Sequence, residues 1–305
     1  MKRYILKRLV RAVIAVLGVS FIVFILIHLS GDPVSLMLPT EATQEEIDEM
    51  RSSLGFDKPL YTQYGIYLWG ALQGDFGQSV RWGRPSIDLF LERFPNTLLL
   101  GTASMFWALL IGLTVGILSA VNVGRWFDNF GKIIALLGQA LPVFWLGLML
   151  MLLFSVKLRW LPTSGIGGLK HLVLPSLTLG ALFAAAITRL TRSTMLDVMD
   201  SEYIKMARVL GVGGAMVVVK QAFKNAMIPI ITMAALNFIV LINGTVITET
   251  IFTWPGVGSL IAQAIFARDY PVAQTILLIS SSLFVFTNLL VDILYAYIDP
   301  RIRYQ

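Results

Sequence analysis

Few side chains in this sequence are equipped for chemistry, and their types and spacing exclude most of it. There is no cysteine, which removes disulfides, thiolate metal sites and cysteine nucleophiles together. The two histidines, His28 and His171, stand far apart in sequence, so a histidine-built metal site is not expected. No H-E-x-x-H occurs, which excludes that class of metalloprotease. A phosphate-cradling G-x-x-x-x-G-K-[ST] loop is missing too. At the nearest candidate, Gly131-Lys132, Trp126 stands where the first glycine belongs and Ile133 follows the lysine. The chain reads as a non-enzyme that binds no cofactor or metal, and any energy for its work must come from a separate subunit.

What remains is a polar segment and a few isolated polar side chains. Ser201–Ile231 is a charged helix–glycine–helix stretch between two apolar runs. Tyr203, Met206, Ala207 and Leu210 fall at i, i+3, i+4 and i+7, the template for one apolar helical face, with Glu202, Lys205 and Arg208 off that stripe. Gly211, with Gly213 and Gly214 behind it, ends the helix where a residue tolerating positive φ is needed. A short amphipathic helix of this kind suits docking into a groove on another protein. Elsewhere Asp292 is the one clear ionisable residue inside an apolar run. An acid there is a functional candidate, but its position about two turns from the run's end fits a hydrogen bond to a neighbouring helix better than ion coupling. Asn237 and Asn243 suit interhelical hydrogen bonds or a polar lining.

The elements that must position these residues are membrane spans. The chain of 305 residues is 56% hydrophobic and only 14% charged, with a mean hydropathy of +0.76. Soluble domains carry roughly 25% charged residues. Continuous apolar runs of about 20 residues cross the hydrocarbon core as helices, not as an alternating barrel. The expected fold is an all-α integral membrane protein with six transmembrane helices: Val10–Leu29, Thr97–Val121, Ile133–Val156, Leu172–Ile187, Ile228–Ile247 and Val272–Ile298. The first is expected to be retained, because it is too long for a signal peptide and lacks a cleavage site. Residues 1–29 then form the N-terminus and first span, 30–96 a sizeable extracytoplasmic segment, and 97–305 a five-helix core with a cytoplasmic segment at 194–227.

Charge sets the orientation. Segments on one side hold 15 of the 24 Lys and Arg residues and five acids; those on the other hold nine basic residues and twelve acids. By the positive-inside rule both termini are cytoplasmic, and the net charge of +6 is a topology signal, not a nucleic-acid patch.

On the outer side, Thr43–Leu54 reads as a capped amphipathic helix, with Thr43 and Glu46 at its start, and Pro59–Leu72 as an aromatic-rich helix suited to a membrane interface. Gly74–Ser79 follows as a loop. This region is either a helical cap on the bundle or a docking surface. The last outer loop carries the rigid turn Trp254-Pro255-Gly256, a helix too short to span, and Arg268-Asp269. These residues are candidates for an outer gate or docking point, with an aromatic interface anchor as the alternative.

The ordered set of motifs resembles one family from end to end. It comprises His28-x-x-Gly31-Asp32-Pro33, Leu54-Gly55 with Pro59-Leu60, Gly74-Asp75-Phe76-Gly77 with Ser79, Trp160-Leu161-Pro162 and Leu174-Pro175-Ser176-Leu177. It continues through Tyr203, Ala207-Arg208, Gly211, Asn225-Ala226 and Pro229 to Trp254-Pro255-Gly256, Arg268-Asp269-Tyr270-Pro271 and Asp299-Pro300-Arg301. The chain resembles the permease subunits of binding-protein-dependent ATP-binding-cassette importers, in the dipeptide/oligopeptide/nickel branch. Its layout is similar to the first of that branch's paired permeases. The family's cytoplasmic Glu-Ala-Ala…Gly signature aligns with Lys205, Met206, Ala207 and Gly211, with Ile228-Pro229 in place of its Leu-Pro, so a contact that requires glutamate has no counterpart here.

The resemblance implies a multi-subunit complex in the bacterial cytoplasmic membrane. Its parts are this chain, a homologous second permease, two ATPase subunits carrying ATP and Mg, and an extracytoplasmic solute-binding protein. The implied work is alternating access for peptides or similarly sized solutes; nickel chelates, glutathione, opines or oligosaccharides are the alternatives. An ion-coupled secondary transporter fits less well, since Asp292 alone is too few and too shallow for coupling-ion sites.

Overall fold

A computed structural model describes residues 2–29, 43–53, 57–243 and 245–298. The motif positions Gly31-Asp32-Pro33, Leu54-Gly55 and Asp299-Pro300-Arg301 lie outside the described residues, as do the side chains of His28, Glu46, Asn243 and Asp292. The described chain is helical: α1 Lys2–Leu29, α2 Gln44–Ser53, α3 Leu60–Leu72, α4 Ser86–Val121, α5 Trp126–Ala140, α6 Val143–Leu150, α7 Leu169–Met199, α8 Glu202–Val209, α9 Gly214–Met216, α10 Lys224–Asn243, α11 Val246–Ile251, α12 Val257–Phe266 and α13 Tyr270–Ile298. Two π-helical stretches, Met151–Lys157 after α6 and Val217–Phe223 between α9 and α10, complete it.

Five described helical stretches are long and apolar enough to cross a membrane: Leu6–Ile25, Ser86–Val121, Leu169–Met199, Gly214–Ile242 and Tyr270–Val291. The expected third span, Ile133–Val156, is not one straight helix. α5 and α6 meet at a 109° bend. Pro142 causes the break: it holds extended backbone (φ −61°, ψ 135°) at the N-cap of α6, and its ring nitrogen has no hydrogen to continue the ladder. The sixth span therefore exists only if the bent pair is counted as one.

Other boundaries move outward. α4 starts at Ser86, not Thr97, and its 36 residues extend about 54 Å, well beyond a hydrocarbon core of roughly 30 Å. The fourth helix runs from Leu169 through Pro175 to Met199, longer at both ends than Leu172–Ile187. Helical backbone is continuous from Gly214 to Ile242, so only residues 200–213 of the polar segment expected at 194–227 lie between long helices.

The chain forms two compact units, one of residues 1–95 with 256–305 and one of residues 96–255. In the first, α1 packs along α13, and α12 with α13 encloses a core of Leu89, Phe90, Leu260, Val272 and Ile276. In the second, α7 is the central helix, bounded by α5, α6 and α10. Small residues allow the closest approach there. A methyl group on Gly112 or Gly116 of α4 would come within 2.6 Å of Ile187 or Thr191 of α7, so the i, i+4 glycine pair is a seat for that helix.

Candidate functional site

The segment after α7 is built as a rigid projecting elbow. Asp200 and Ser201 close α7, with the Ser201 N–H donating to the Val198 carbonyl at 3.1 Å, and α8 starts at once. Its end is a Schellman motif: the Gly211 N–H donates to Arg208 O at 3.0 Å and the Val212 N–H to Ala207 O at 3.1 Å. Gly211 takes φ +79°, as the sequence required, while a Cβ there would meet nothing within 4 Å. The need for glycine is thus a matter of backbone conformation, not of space.

The expected apolar stripe of α8 divides in two. Ile204 and Ala207, 0% and 8% exposed, face inward and join Met195, Val217 and Ala222 in the chain's own core. Tyr203, Met206 and Leu210 face outward, with Val209 beside them; Val209 and Leu210 are 82% and 74% exposed. Ala207 is therefore not on the outward face where the spacing put it. The i, i+3, i+4, i+7 template is broad enough to cover two faces of so short a helix, and Ile204, which it omitted, supplies the inward anchor. Tyr203 is held from behind, its hydroxyl accepting a hydrogen bond from Asn225 Nδ2 at 2.8 Å. The two motif positions, 22 residues apart in sequence, form one strut between α8 and α10.

The charged side chains of α8 surround this apolar face. Lys205 Nζ lies 3.1 Å from Glu202 Oε1 and 3.3 Å from Asp200 Oδ1. The Glu202 carboxylate, then Asp200, raises the lysine's pKa, so it stays charged throughout the neutral range. Arg208 and Glu202 are exposed. What results is an apolar tip on a short braced helix with charges around it, an arrangement that can bind a groove on another protein.

A second cluster braces the same unit and escaped the reading of the sequence. Asp128, in the first turn of α5, is 0% exposed and accepts from Arg192 of α7 through Nε at 2.6 Å and Nη2 at 3.0 Å. Lys132 Nζ at 2.9 Å and the Gly124 N–H at 3.0 Å complete its shell. Arg189, one turn away on α7, bonds Gln139 of α5. In the sequence these residues only tallied charge; the i, i+4 spacing of Asp128 and Lys132 was the available signal, and the partner from α7 was beyond it.

The outer candidates are buried fasteners. Trp254 is 1% exposed, its indole donates to Asn96 O at 3.0 Å, and Asn96 Nδ2 returns a bond to Pro255 O at 2.8 Å. Near it, buried Glu249 accepts from the Thr97 hydroxyl at 2.8 Å. Gly256 is the extended N-cap of α12. In the other unit Asp269 caps α13, and its carboxylate accepts from the Ser79 hydroxyl at 2.5 Å and the Arg81 N–H at 3.1 Å. Motifs 190 residues apart are thereby joined. Arg268 stays exposed at φ +55°. Asn237, in α10, has a buried amide nitrogen with no hydrogen-bond partner among the described residues.

The comparisons with known proteins identify the family. Residues 112–304 match the binding-protein-dependent transport system inner membrane component, and residues 1–101 match the N-terminal membrane component of the same systems. The chain belongs to this permease family. It is 44% identical over 306 aligned positions, covering 100% of both chains, to the glutathione transport system permease protein GsiC of Escherichia coli (strain K12). The same figures hold for GsiC of Salmonella typhimurium. Among solved structures, a chain of the MetNI methionine ABC transporter in inward-facing conformations superposes with a TM-score of 0.58 at 19% identity, covering 70% of this chain and 97% of that one. A chain of an amino acid ABC transporter with histidines gives 0.56 at 15% identity, covering 69% and 94%. At those identities the likeness concerns the fold. The permease is thus a multi-pass inner-membrane component of a binding-protein-dependent ATP-binding-cassette importer in the dipeptide/oligopeptide/nickel branch.

Proposed function

We propose that this permease forms half of the translocation pathway of an importer for short peptides, with glutathione, a tripeptide, as the first substrate to test. The observation that carries this reading is end-to-end identity of 44% with a permease named for glutathione transport. A second, homologous permease supplies the other half, two ATPase subunits supply ATP hydrolysis with Mg, and an extracytoplasmic binding protein delivers solute. Both termini face the cytoplasm, as the distribution of basic residues favours.

In this reading α8 is the coupling element. Met206, Val209 and Leu210 enter a groove on the ATPase, and Tyr203–Asn225 with the Schellman turn makes the elbow move as a body with α10. A stiff elbow matters because ATP-driven motion of the partner reaches the bundle only if the link does not bend. Trp254 and Asp269 hold the outer loops in shape, and a docking or gating role there falls to the exposed Arg268 and its surroundings.

The test is uptake by the assembled importer in vesicles with its binding protein present. Glutathione should be accumulated on ATP addition and di- and tripeptides should compete. ATP-dependent uptake of nickel chelates, opines or oligosaccharides with no uptake of glutathione or peptides would overturn the substrate assignment. Normal coupled turnover after Met206→Ser and Leu210→Ser together would overturn the role of α8.

A further inference from the structure

Arg192 of α7 is held by Asp128, but Arg189, one turn before it, has no acid. Its Nη1 donates to Gln139 Oε1 of α5, and Gln139 is its one hydrogen-bond partner among the described residues. Both residues are exposed. A guanidinium only donates, so the bond occupies the Gln139 oxygen and leaves its NH2 group free, together with Nε and Nη2 of Arg189. The pair is a set of donors carrying a positive charge, which is the chemistry of an anion site.

Depth narrows the choice of anion. A methyl group on Gly138 would lie 3.0 Å from Ala185 Cβ and 3.2 Å from Ala181 O, so the last turn of α5 packs on the middle of α7, around Ala184. The 31 residues of α7 extend about 46 Å against a hydrocarbon core of roughly 30 Å, so the middle of this helix lies inside the core wherever the excess projects. The Arg189 side chain leans toward the N-terminus of its helix and bonds the residue beside Gly138, which brings its charge to that level. Lipid phosphates stand at the membrane surface, above this depth. A cation facing lipid tails here is costly, whereas one lining a solute path has a use. Peptides carried as cargo bring a carboxylate through this level of the membrane.

We infer that Arg189 and Gln139 bind the carboxylate of the peptide solute as it passes through the permease, Arg189 as a two-pronged donor and Gln139 through its NH2 group. The inference rests on the proposed peptide cargo. Asp128 does not compete for Arg189, because Arg192, Lys132 and the Gly124 N–H already fill its carboxylate. Arg189 is thus held in place by a neutral partner and keeps its charge for the solute.

The experiment uses the assembled importer in vesicles, with glutathione supplied on saturating binding protein so that capture does not limit the rate. Gln139→Glu pairs Arg189 from within the chain. It should resist SDS unfolding at least as well as the unaltered chain, yet slow saturated uptake about tenfold, the worth of one charge-assisted hydrogen bond. Arg189→Gln should slow uptake as much with the complex still assembled. Exchanging the two side chains, Arg189→Gln with Gln139→Arg, keeps the donor set and should recover most of the uptake. Should Arg189→Gln not insert, Gln139→Glu decides alone. Unchanged uptake in Gln139→Glu would overturn the inference, since a merely structural pair tolerates an internal ion pair. Loss of the second permease from Arg189→Gln, with Gln139→Glu transporting normally, would assign the counter-charge to an acid of that partner and overturn it too. An unaltered importer that moves glutathione and peptides, with both variants matching it, would overturn this inference alone. One that moves neither solute would overturn the proposed cargo and this inference together.

Discussion

Asp128 provides the sharpest test of what holds the second unit together. Its carboxylate is fully buried and surrounded by four donors: two from Arg192, one from Lys132 and the Gly124 N–H. Asp128→Asn keeps the shape but removes the charge and turns an NH2 group toward cations. Arg192 is then left with an uncompensated charge at 24% side-chain exposure, and breaking such a pair costs on the order of 3–5 kcal/mol. Arg192→Lys keeps the charge but loses the two-pronged geometry, for about 1–2 kcal/mol. Lys132 is 50% exposed, so solvent screening limits Lys132→Gln to less than about 1 kcal/mol. The expected order of destabilisation is therefore Asp128→Asn, Arg192→Lys, Lys132→Gln. In Asp128→Asn, the further change Arg192→Gln should cost little or even restore stability, since it removes the stranded cation. The assay is reversible unfolding of the purified subunit in mixed micelles of increasing SDS content, followed by helical circular dichroism. Additive single effects, or a Lys132→Gln variant as damaged as Asp128→Asn, would refute the reasoning.

Three further outcomes follow from the elbow and the outer loops. Gly211→Val should cost about 1–3 kcal/mol and uncouple ATPase binding, whereas Gly211→Asn, which tolerates left-handed backbone, should retain both folding and co-purification; equal behaviour of the two in a pull-down of the ATPase would contradict the cap. Ala207→Glu buries an unpaired charge in the chain's own core, so loss of folded protein by several kcal/mol should precede any loss of coupling, as size-exclusion yield would show. Thr253 and Arg268 occupy the left-handed C′ positions of α11 and α12 at φ +49° and +55°, with Trp254 N–H to Glu249 O and Asp269 N–H to Ala264 O both at 2.8 Å. Thr253→Gly and Arg268→Gly should each stabilise by about 1 kcal/mol, visible as later unfolding in the same SDS titration.

Which parts of this protein its sequence determined, and which only the folded chain decided, divides along physical range. Apolar length and charge bias act locally, so the membrane class, most of the helices and the need for positive φ at Gly211 could be read directly. The motif order was equally legible, and it pointed to the family that the comparisons then established. Periodicity was weaker, because an eight-residue helix presents two apolar faces, and only packing shows that Ala207 turns inward while Met206 and Leu210 remain outside. The bend at Pro142 was visible as a residue but not as an angle, since the direction a helix takes after a break is set by what it packs against. Least legible were the long-range bonds. Asp128 with Arg192, Ser79 with Asp269 and Trp254 with Asn96 lie 64, 190 and 158 residues apart. Nothing local distinguishes such a residue from an ordinary surface charge or interface aromatic. Its role arises when tertiary packing excludes water from it and supplies the one partner that makes its burial tolerable.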